Sequence, residues 1–363
     1  MNLQLGGLLL DMAALADDSQ GGWGYKRAAK AVLRLDRHIT PLVKANTLRS
    51  VSGIGPTTDR IARELIEDGA SAFVERAIAE AGKQEAAAQW RALRRNFLSY
   101  AAVRDILSKP SATLAAAKAL SRKGYRGDYQ MHSTWSDGSE PLESIVEACL
   151  ARGYTLSGIT DHSYGLPIAG GMSMVKVAEQ HAAIDALNRT YRGRFRLFKG
   201  IEVNIRPDGT VDMESHELRQ FEFVVASPHS LLRKTIDQTA RMVGAVSQPG
   251  VCILGHPQGR RFNVRAGVSA AWDQVFDVAA RRQVAIEIDG SWDRQDVHYE
   301  LAARALDHGC LFALNSDAHS HPELDFVDIS IAHARLAGLP KERIVNYWTE
   351  KKFLDWARGA WDR

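Results

Sequence analysis

Histidines and carboxylates recur at long, regular intervals through the C-terminal two thirds of this 363-residue chain. His132 is followed by Asp137, and Asp161 is adjacent to His162. Glu202, His229, His256, Glu287 and the pair Asp317 and His319 come next. Between positions 132, 162, 202, 229, 256, 287 and 317 the steps are 30, 40, 27, 27, 31 and 30 residues. Five of the chain's twelve histidines belong to this series. A lone histidine is usually a surface or satisfied core residue, but that reading does not account for a periodic set. Imidazole with carboxylate and no thiolate is a ligand set for Zn²⁺, Mn²⁺ or Fe²⁺ rather than for a structural zinc. Eight candidate ligands exceed the needs of one ion and point to a cluster of two or three. Such clusters clamp phosphoryl oxygens and activate water for in-line displacement. No G-x-S-x-G elbow, P-loop or dinucleotide fingerprint occurs, so neither serine-hydrolase chemistry nor a nucleotide cofactor is indicated.

Each of these positions closes a short apolar run rich in β-branched or aromatic residues. The runs are Asp128–Met131, Leu156–Thr160, Phe195–Val203, Phe221–Ala226, Val251–Leu254, Val284–Ile288 and Cys310–Leu314. Helical stretches separate them, and a spacing of about 30 residues is that of a βαβ unit. Seven units in register predict a closed or nearly closed parallel barrel, with an open doubly wound sheet as the alternative. In a parallel barrel the strand ends share one rim, the carboxyl face on which barrel enzymes build their sites.

The first 120 residues are different. Apolar residues at helical spacing cover 23–39, 57–68, 70–81 and 84–107, with Pro41, Gly69, Gly82 and Pro110 as breaks or stops. This predicts an all-helical domain over 1–120, a linker at 121–126, a barrel over 127–350 and a tail helix over 351–363. Charge divides along the same line. Residues 1–124 hold 19 Lys+Arg against 12 Asp+Glu, a balance of +7, while the remainder carries −4 within a net +3. A basic part is a candidate for contact with polyanions, although solvated helix faces give the same count. A composition with 45% hydrophobic and 25% charged residues excludes a disordered chain or a disulfide scaffold. Cys149, Cys252 and Cys310 are far apart in apolar runs and read as reduced core residues. No run is long enough to span a bilayer, and the opening segment lacks a basic leader, so a cytoplasmic protein is expected.

Six ordered segments carry a resemblance: GDYQMHSTWSDG (127–138), ITDHS (159–163), GIEVNI (200–205), VVASPHS (224–230), ILGHPQGR (253–260) and NSDAHS (315–320). They resemble the successive motifs of the PHP (polymerase and histidinol phosphatase) domain, most closely the module attached to bacterial family X DNA polymerases. The resemblance implies a distorted seven-stranded (β/α)7 barrel with two or three divalent ions. It implies His132, Asp137, His162, Glu202, His229, His256, Asp317 and His319 as ligands. It places the catalytic chemistry on His132, His162, His229, His256, Asp317 and His319. The first motif departs from the family's usual H-x-H, because Gln130 stands at the first histidine. An amide oxygen is a weaker ligand, so one metal position would be weakly held or completed by water. Some polymerase-type modules similarly carry Gln there, which implies altered metal preference rather than inactivity.

Other residues admit two readings each. Arg260, Arg261, Arg233 and Lys234 follow strand ends and could hold a substrate phosphate or simply line solvated loops. Asp128 and Asp161 could orient ligand histidines or cap helices. Glu287 closes a strand, but the motifs do not make it a ligand. Trp135 could stack on a base, line the pocket or belong to the core.

In the helical part, LRSVSGIGPTT (48–58), followed by Ile61 and Leu65, resembles a helix-hairpin-helix. Gly53 and Gly55 would bring backbone amides to a DNA phosphate, with Arg49, Arg60 and Arg63 adding charge. A plain helical turn also explains the segment. The stretch between Pro110 and Asp128 leaves no room for a polymerase palm. The expected function is thus a metal-dependent phosphoesterase to which the helical domain delivers DNA ends for 3′–5′ exonuclease or 3′-end-processing repair. The rival readings are a histidinol-phosphate-like, sugar- or nucleotide-phosphate phosphatase, and an inactive DNA-binding scaffold.

Overall fold

The computed structural model describes residues 1–16, 20–108 and 120–363, so the stop read at Pro110 lies outside the described residues. The chain divides into two compact units, Met1–Lys109 with Phe262–Val264, and Pro110–Arg261 with Arg265–Arg363.

The first unit is helical: α1 (Asn2–Leu15), α2 (Gln20–Leu33), α3 (Ile39–Lys44), α4 (Pro56–Asp68), α5 (Ala72–Glu80), α6 (Gln84–Ala92) and α7 (Tyr100–Ser108). Leu5, Leu9, Val32, Ile39, Leu48, Ile61, Leu65, Val74 and Ile78 form its core. Pro41 does not stop the run before it. It sits in the first turn of α3, where its missing N–H would be unpaired in any case. The expected helix over 84–107 is two helices, α6 and α7, separated by residues 93–99. Gly55 caps α4 ahead of Pro56 at its first position, and Gly69 ends it in the left-handed conformation.

The second unit alternates helices and strands. Its helices are α8 (Leu142–Ala151), α9 (Met174–Thr190), α10 (Ser215–Leu218), α11 (Thr239–Ser247), α12 (Trp272–Arg282), α13 (Tyr299–Asp307), α14 (Val327–Leu336) and α15 (Glu350–Arg358). Its strands are β1 (Leu156–Ile159), β2 (Arg196–Asn204), β3 (Phe223–Ser227), β4 (Val251–Leu254), β5 (Ala285–Asp289) and β6 (Leu311–Asn315). All neighbouring pairs are parallel, and the spatial order follows the sequence from β1 to β6. The result is an α/β half-barrel. A sequential order has no point of reversal, which removes the doubly wound alternative.

The first of the seven runs, Asp128–Met131, does not form a strand. Its carbonyls behave as a strand's would: Gly158 N–H donates to the Asp128 carbonyl at 2.8 Å and Thr160 N–H to that of Met131 at 2.9 Å. Its amides are taken by side chains instead. Tyr129 donates to Asn315 Oδ1, Gln130 to Asp128 Oδ1 and Met131 to Thr160 Oγ1, at 3.1, 3.0 and 3.2 Å. A single bridge, Met131 to Ala318, is what remains of a ladder. The segment lies between β1 and the end of β6 without joining the sheet.

Aromatic rings fill one end of the core. Phe353 of α15 stacks on Tyr129 at 4.1 Å and on Phe198 at 5.1 Å, and meets Phe223 edge-on at 5.5 Å. Phe223 needs two glycines beside it. A Cβ at Gly158 or Gly200 would come within 2.3 or 2.4 Å of its Cζ.

Candidate metal centre

At the carboxyl ends of the strands the polar side chains converge. His162 follows β1, Glu202 lies two residues before the end of β2, and His229, His256 and Asp317 each lie two residues beyond β3, β4 and β6. His132 and Asp137 come from the loop between the first run and α8, and His319 follows Asp317.

Glu202 is the hub. It is 1% exposed, and its two oxygens face different groups. Oε1 lies 3.0 Å from His256 Nε2, 3.1 Å from Gln130 Nε2 and 3.6 Å from His229 Nε2. Oε2 lies 3.1 Å from His162 Nδ1 and 3.4 Å from His132 Nε2. Asp317 Oδ1 lies 3.2 Å from His132 Nε2, and Asp137 Oδ1 lies 3.3 Å from His319 Nε2 and 3.6 Å from His162 Nε2. Three sets bring their donor atoms within 4.8 Å of one another: His132, Asp137, His162 and His319; His162, Glu202 and His229; and His132, Glu202 and Asp317.

Electrostatics follow from this crowding. Burial raises a carboxyl pKa, yet the histidines around Glu202, His162 and His229 foremost, hold it well below the usual range. Burial opposes ionisation of Asp137 too, but its hydrogen bond with His319 and the nearby histidines bring it down to about 2. Burial pushes His162 down to about 4 and His229 down to about 3, which leaves both imidazoles neutral with a lone pair to offer. Burial also works against a charged His319, but Asp137 and Asp317 carry it up to about 10.

Three fully buried carboxylates grip the backbone that presents these side chains. Asp161 accepts from Ser133 N–H and Oγ at 2.8 and 2.6 Å, from Ser136 Oγ at 2.5 Å and from Gln180 Nε2 of α9 at 2.6 Å. Asp128 accepts from the amides of Gln130 and Ser316, both at 3.0 Å, and burial lifts it to about 7. Glu287 accepts from the His256 amide at 2.6 Å and from Asn315 Nδ2 at 2.7 Å, and burial raises it well above the usual range. These bonds of Asp128 and Asp161 thus run to motif backbone, serines and glutamine rather than to histidine rings. His256 and Asp317 hold φ of +23° and +54°, the left-handed region that non-glycine residues rarely enter. Such strain concentrates at functional sites that their surroundings over-determine.

Among the described residues, His132 Nε2, His162 Nδ1 and Glu202 Oε2 are buried and make no hydrogen bond, although they lie close together. Hard and borderline donors left facing one another fit divalent cations. Gln130 uses its amide N–H on Glu202, and its carbonyl Oε1 is likewise without a hydrogen bond.

The basic residues read from the sequence end up in different places. Arg260 is only 7% exposed, beside Asp296, and burial lowers it to about 10. Arg261 pairs with Asp293 at 2.6 Å, while Arg233 and Lys234 are exposed. Trp135 is half-buried. Gln180, Asn315, Asp289 and Arg294 escape a reading of the sequence. In the helical unit, Gly53 has φ of +87° and Arg49 is exposed. Arg60 pairs with Glu64 at 2.9 Å and Arg63 with Asp59 at 3.1 Å. The three cysteines are buried and free. Among the described residues no helix is long and apolar enough to cross a membrane.

A parallel α/β half-barrel with a histidine–carboxylate centre at its carboxyl rim defines the class. Comparison places the chain more closely. It is 34% identical over 222 residues to DNA polymerase/3′-5′ exonuclease PolX of Bacillus subtilis, covering 61% of this chain and 39% of that one. It is 25% identical over 227 residues to a probable phosphatase of Caldicellulosiruptor saccharolyticus, covering 60% of this chain and 89% of that one. Histidinol phosphate phosphatase from Lactococcus lactis, solved with zinc, L-histidinol and phosphate, aligns at 15% identity and a TM-score of 0.42, over 66% of this chain and 93% of that one. No family model matches. These similarities, to a polymerase/exonuclease and to probable phosphatases, support the resemblance to the PHP domain family carried by the six sequence motifs. It spans about two fifths of the polymerase's length.

Proposed function

We propose that the chain is a metal-dependent phosphoesterase with His132, Asp137, His162, Glu202, His229, His256, Asp317 and His319 as ligands to two or three divalent ions. The observation that carries this reading is Glu202, a buried carboxylate that belongs to two of the three candidate sets and faces four histidines. Bound zinc, manganese or iron supplies Lewis acidity toward a phosphoryl oxygen and a water of lowered pKa. The chain's own residues do the rest. His162 and His229 stay neutral and offer nitrogen lone pairs, and Asp137 and Asp317 stay ionised. Gln130 holds Glu202 through its amide N–H, and Asp161, Asp128 and Glu287 fix the loops.

The preferred substrate is a DNA 3′ end, cleaved by 3′–5′ exonuclease or end-processing chemistry. The relation to a polymerase/exonuclease and the +7 balance of residues 1–124 support it. So does the helix-hairpin-helix-like turn. Gly53 and Gly55 there line a surface cavity of about 330 Å³ together with Tyr25 and Arg27. A small-molecule phosphatase is the second reading, favoured by relatives named as probable phosphatases that are covered over 89% and 93% of their length.

One experiment separates them: purified protein with Mn²⁺, Zn²⁺ or Fe²⁺, a 3′-labelled oligonucleotide and a set of small phosphomonoesters. Stepwise shortening of the oligonucleotide is expected. Brisk monoester turnover with an intact oligonucleotide would instead establish the phosphatase.

A further inference from the structure

A cation stands at this centre that neither the motif spacing nor the resemblance assigns. Arg294 lies in the loop after β5, and that loop doubles back on itself. Asp289 and Asp296 exchange backbone hydrogen bonds of 2.5 and 3.1 Å, and the amides of Arg294 and Gln295 donate to the Ser291 carbonyl at 2.9 and 3.0 Å. Gly290 seats the turn against the start of α14, where a Cβ would come within 2.1 Å of the Phe326 carbonyl oxygen. The arm that carries Arg294 is therefore held in place before any ligand arrives, which is what a precise site requires.

The side chain is 26% exposed, and its Nε lies 3.5 Å from Asp317 Oδ2 and 3.8 Å from Asp289 Oδ2. Asp317 turns its other oxygen, Oδ1, toward His132 Nε2 at 3.2 Å, within one of the three ligand sets. A single carboxylate thus faces a cation position with one oxygen and a guanidinium with the other. Both arginine contacts are longer than the roughly 2.7–2.9 Å of a charge-assisted hydrogen bond. The guanidinium is attracted to these carboxylates without being saturated by them, and it has five N–H donors. Cations on Asp317 and Glu202 would neutralise the carboxylates nearby and leave Arg294 facing an anion in the mouth. Arg261 is engaged with Asp293, Arg265 with the Gly259 carbonyl at 2.7 Å, and Arg260 is buried.

We propose that Arg294 binds the phosphoryl group of the substrate, donating to its non-bridging oxygens beside the cation position that Asp317 Oδ1 borders. This rests on the phosphoesterase reading. The test compares wild type, R294A and R294K after loading with Mn²⁺. Metal content is measured directly, inorganic phosphate affinity by calorimetry, and KM and kcat with p-nitrophenyl phosphate. R294A is expected to keep its metal and to bind inorganic phosphate about ten-fold or more weakly, the scale of a lost charge-assisted bond. Its KM rises with it. R294K keeps the charge but not the fork and recovers part of the affinity. Metal-replete R294A that binds phosphate as wild type does would overturn the proposal. Loss of metal from both variants would overturn it as well, because Arg294 would then act by holding Asp317. A wild-type protein that holds Mn²⁺ yet neither binds phosphate nor cleaves any ester would sink the phosphoesterase reading itself, a distinct result.

Discussion

At the level of single residues, the centre is organised by one carboxylate and its neighbours. Glu202 faces four histidines, and its removal should disturb more than one metal position. Glu202→Gln is expected to hold less metal by elemental analysis and to lose at least the 10–100-fold in activity that outer-shell mutations cost. Glu287→Gln tests the backbone grip on His256: a loss of about 10–100-fold in metal affinity is expected, with the fold intact by circular dichroism. Gln130→His should raise metal occupancy at limiting Zn²⁺, and an unchanged occupancy would show that residue 130 serves only to hold Glu202. The proposed ligands His132, His162, Glu202, His229, His256 and Asp317 stand out in the sequence because each closes a repeated apolar run, with Asp137 and His319 just beyond two of them. Only the resemblance of the motifs separates this set from Glu287, which closes a run as well. Asp128 and Asp161 stand out for their place beside motifs, but their partners do not. Gln180, Asn315 and Arg294 leave no such mark. Each acts on a group brought to it by another element, and no local spacing encodes that meeting.

At the level of elements, small residues and buried hydrogen bonds decide where the backbone goes. Gly158 on β1 and Gly200 on β2 leave the space that Phe223 occupies. Gly158→Ala should destabilise the protein by about 1–3 kcal/mol through overpacking, read as a lower urea midpoint, and adding Phe223→Leu should restore part of it. The α4–α5 junction depends on Glu64, which accepts from Ser71 Oγ at 2.6 Å and from the Phe73 amide at 3.0 Å. Its carboxyl is held down to about 2, first by the Ser71 hydroxyl and then by the Phe73 amide. A depressed pKa stabilises the fold above the ordinary carboxylate range, and that contribution is lost as the pH falls toward 2. Wild type should therefore unfold at a higher temperature than Glu64→Gln at pH 6, with the gap closing between about pH 4.5 and 2. Helices at the expected positions and six of the seven runs are readable from apolar periodicity. The run at 128–131 has the composition of a strand, but side chains take its amides, those of Asn315 and Thr160 from distant elements and that of Asp128 from within the run. Pro41 shows the same limit: whether a proline ends a helix or begins one is decided by the residues on its C-terminal side.

At the level of the whole chain, two units differ in composition and in the chemistry they offer. The helical unit holds 16 Lys+Arg against 12 Asp+Glu over residues 1–109, and DNA contact there should be salt-dependent, with log affinity falling linearly against log salt. Arg49 is the residue to test first, because Arg60 and Arg63 are each paired one helical turn away. Arg49→Ala should weaken binding to oligonucleotides of any sequence and reduce the salt slope by about one. The proposed chemistry stands on the centre at the barrel rim. The most direct test is ester cleavage by chelator-stripped protein, read as nucleotide release from an unmodified oligonucleotide and as phosphate release from a 3′-phosphorylated oligonucleotide and p-nitrophenyl phosphate, before and after stepwise addition of Mn²⁺ or Zn²⁺ with bound metal counted. The expected result is no release from the stripped protein and activity that rises with bound metal to saturation at two or three ions per chain, with Glu202→Gln failing to follow. Full metal loading with neither nucleotide nor phosphate released from any of the three substrates, or equal activity with and without bound metal, would contradict it.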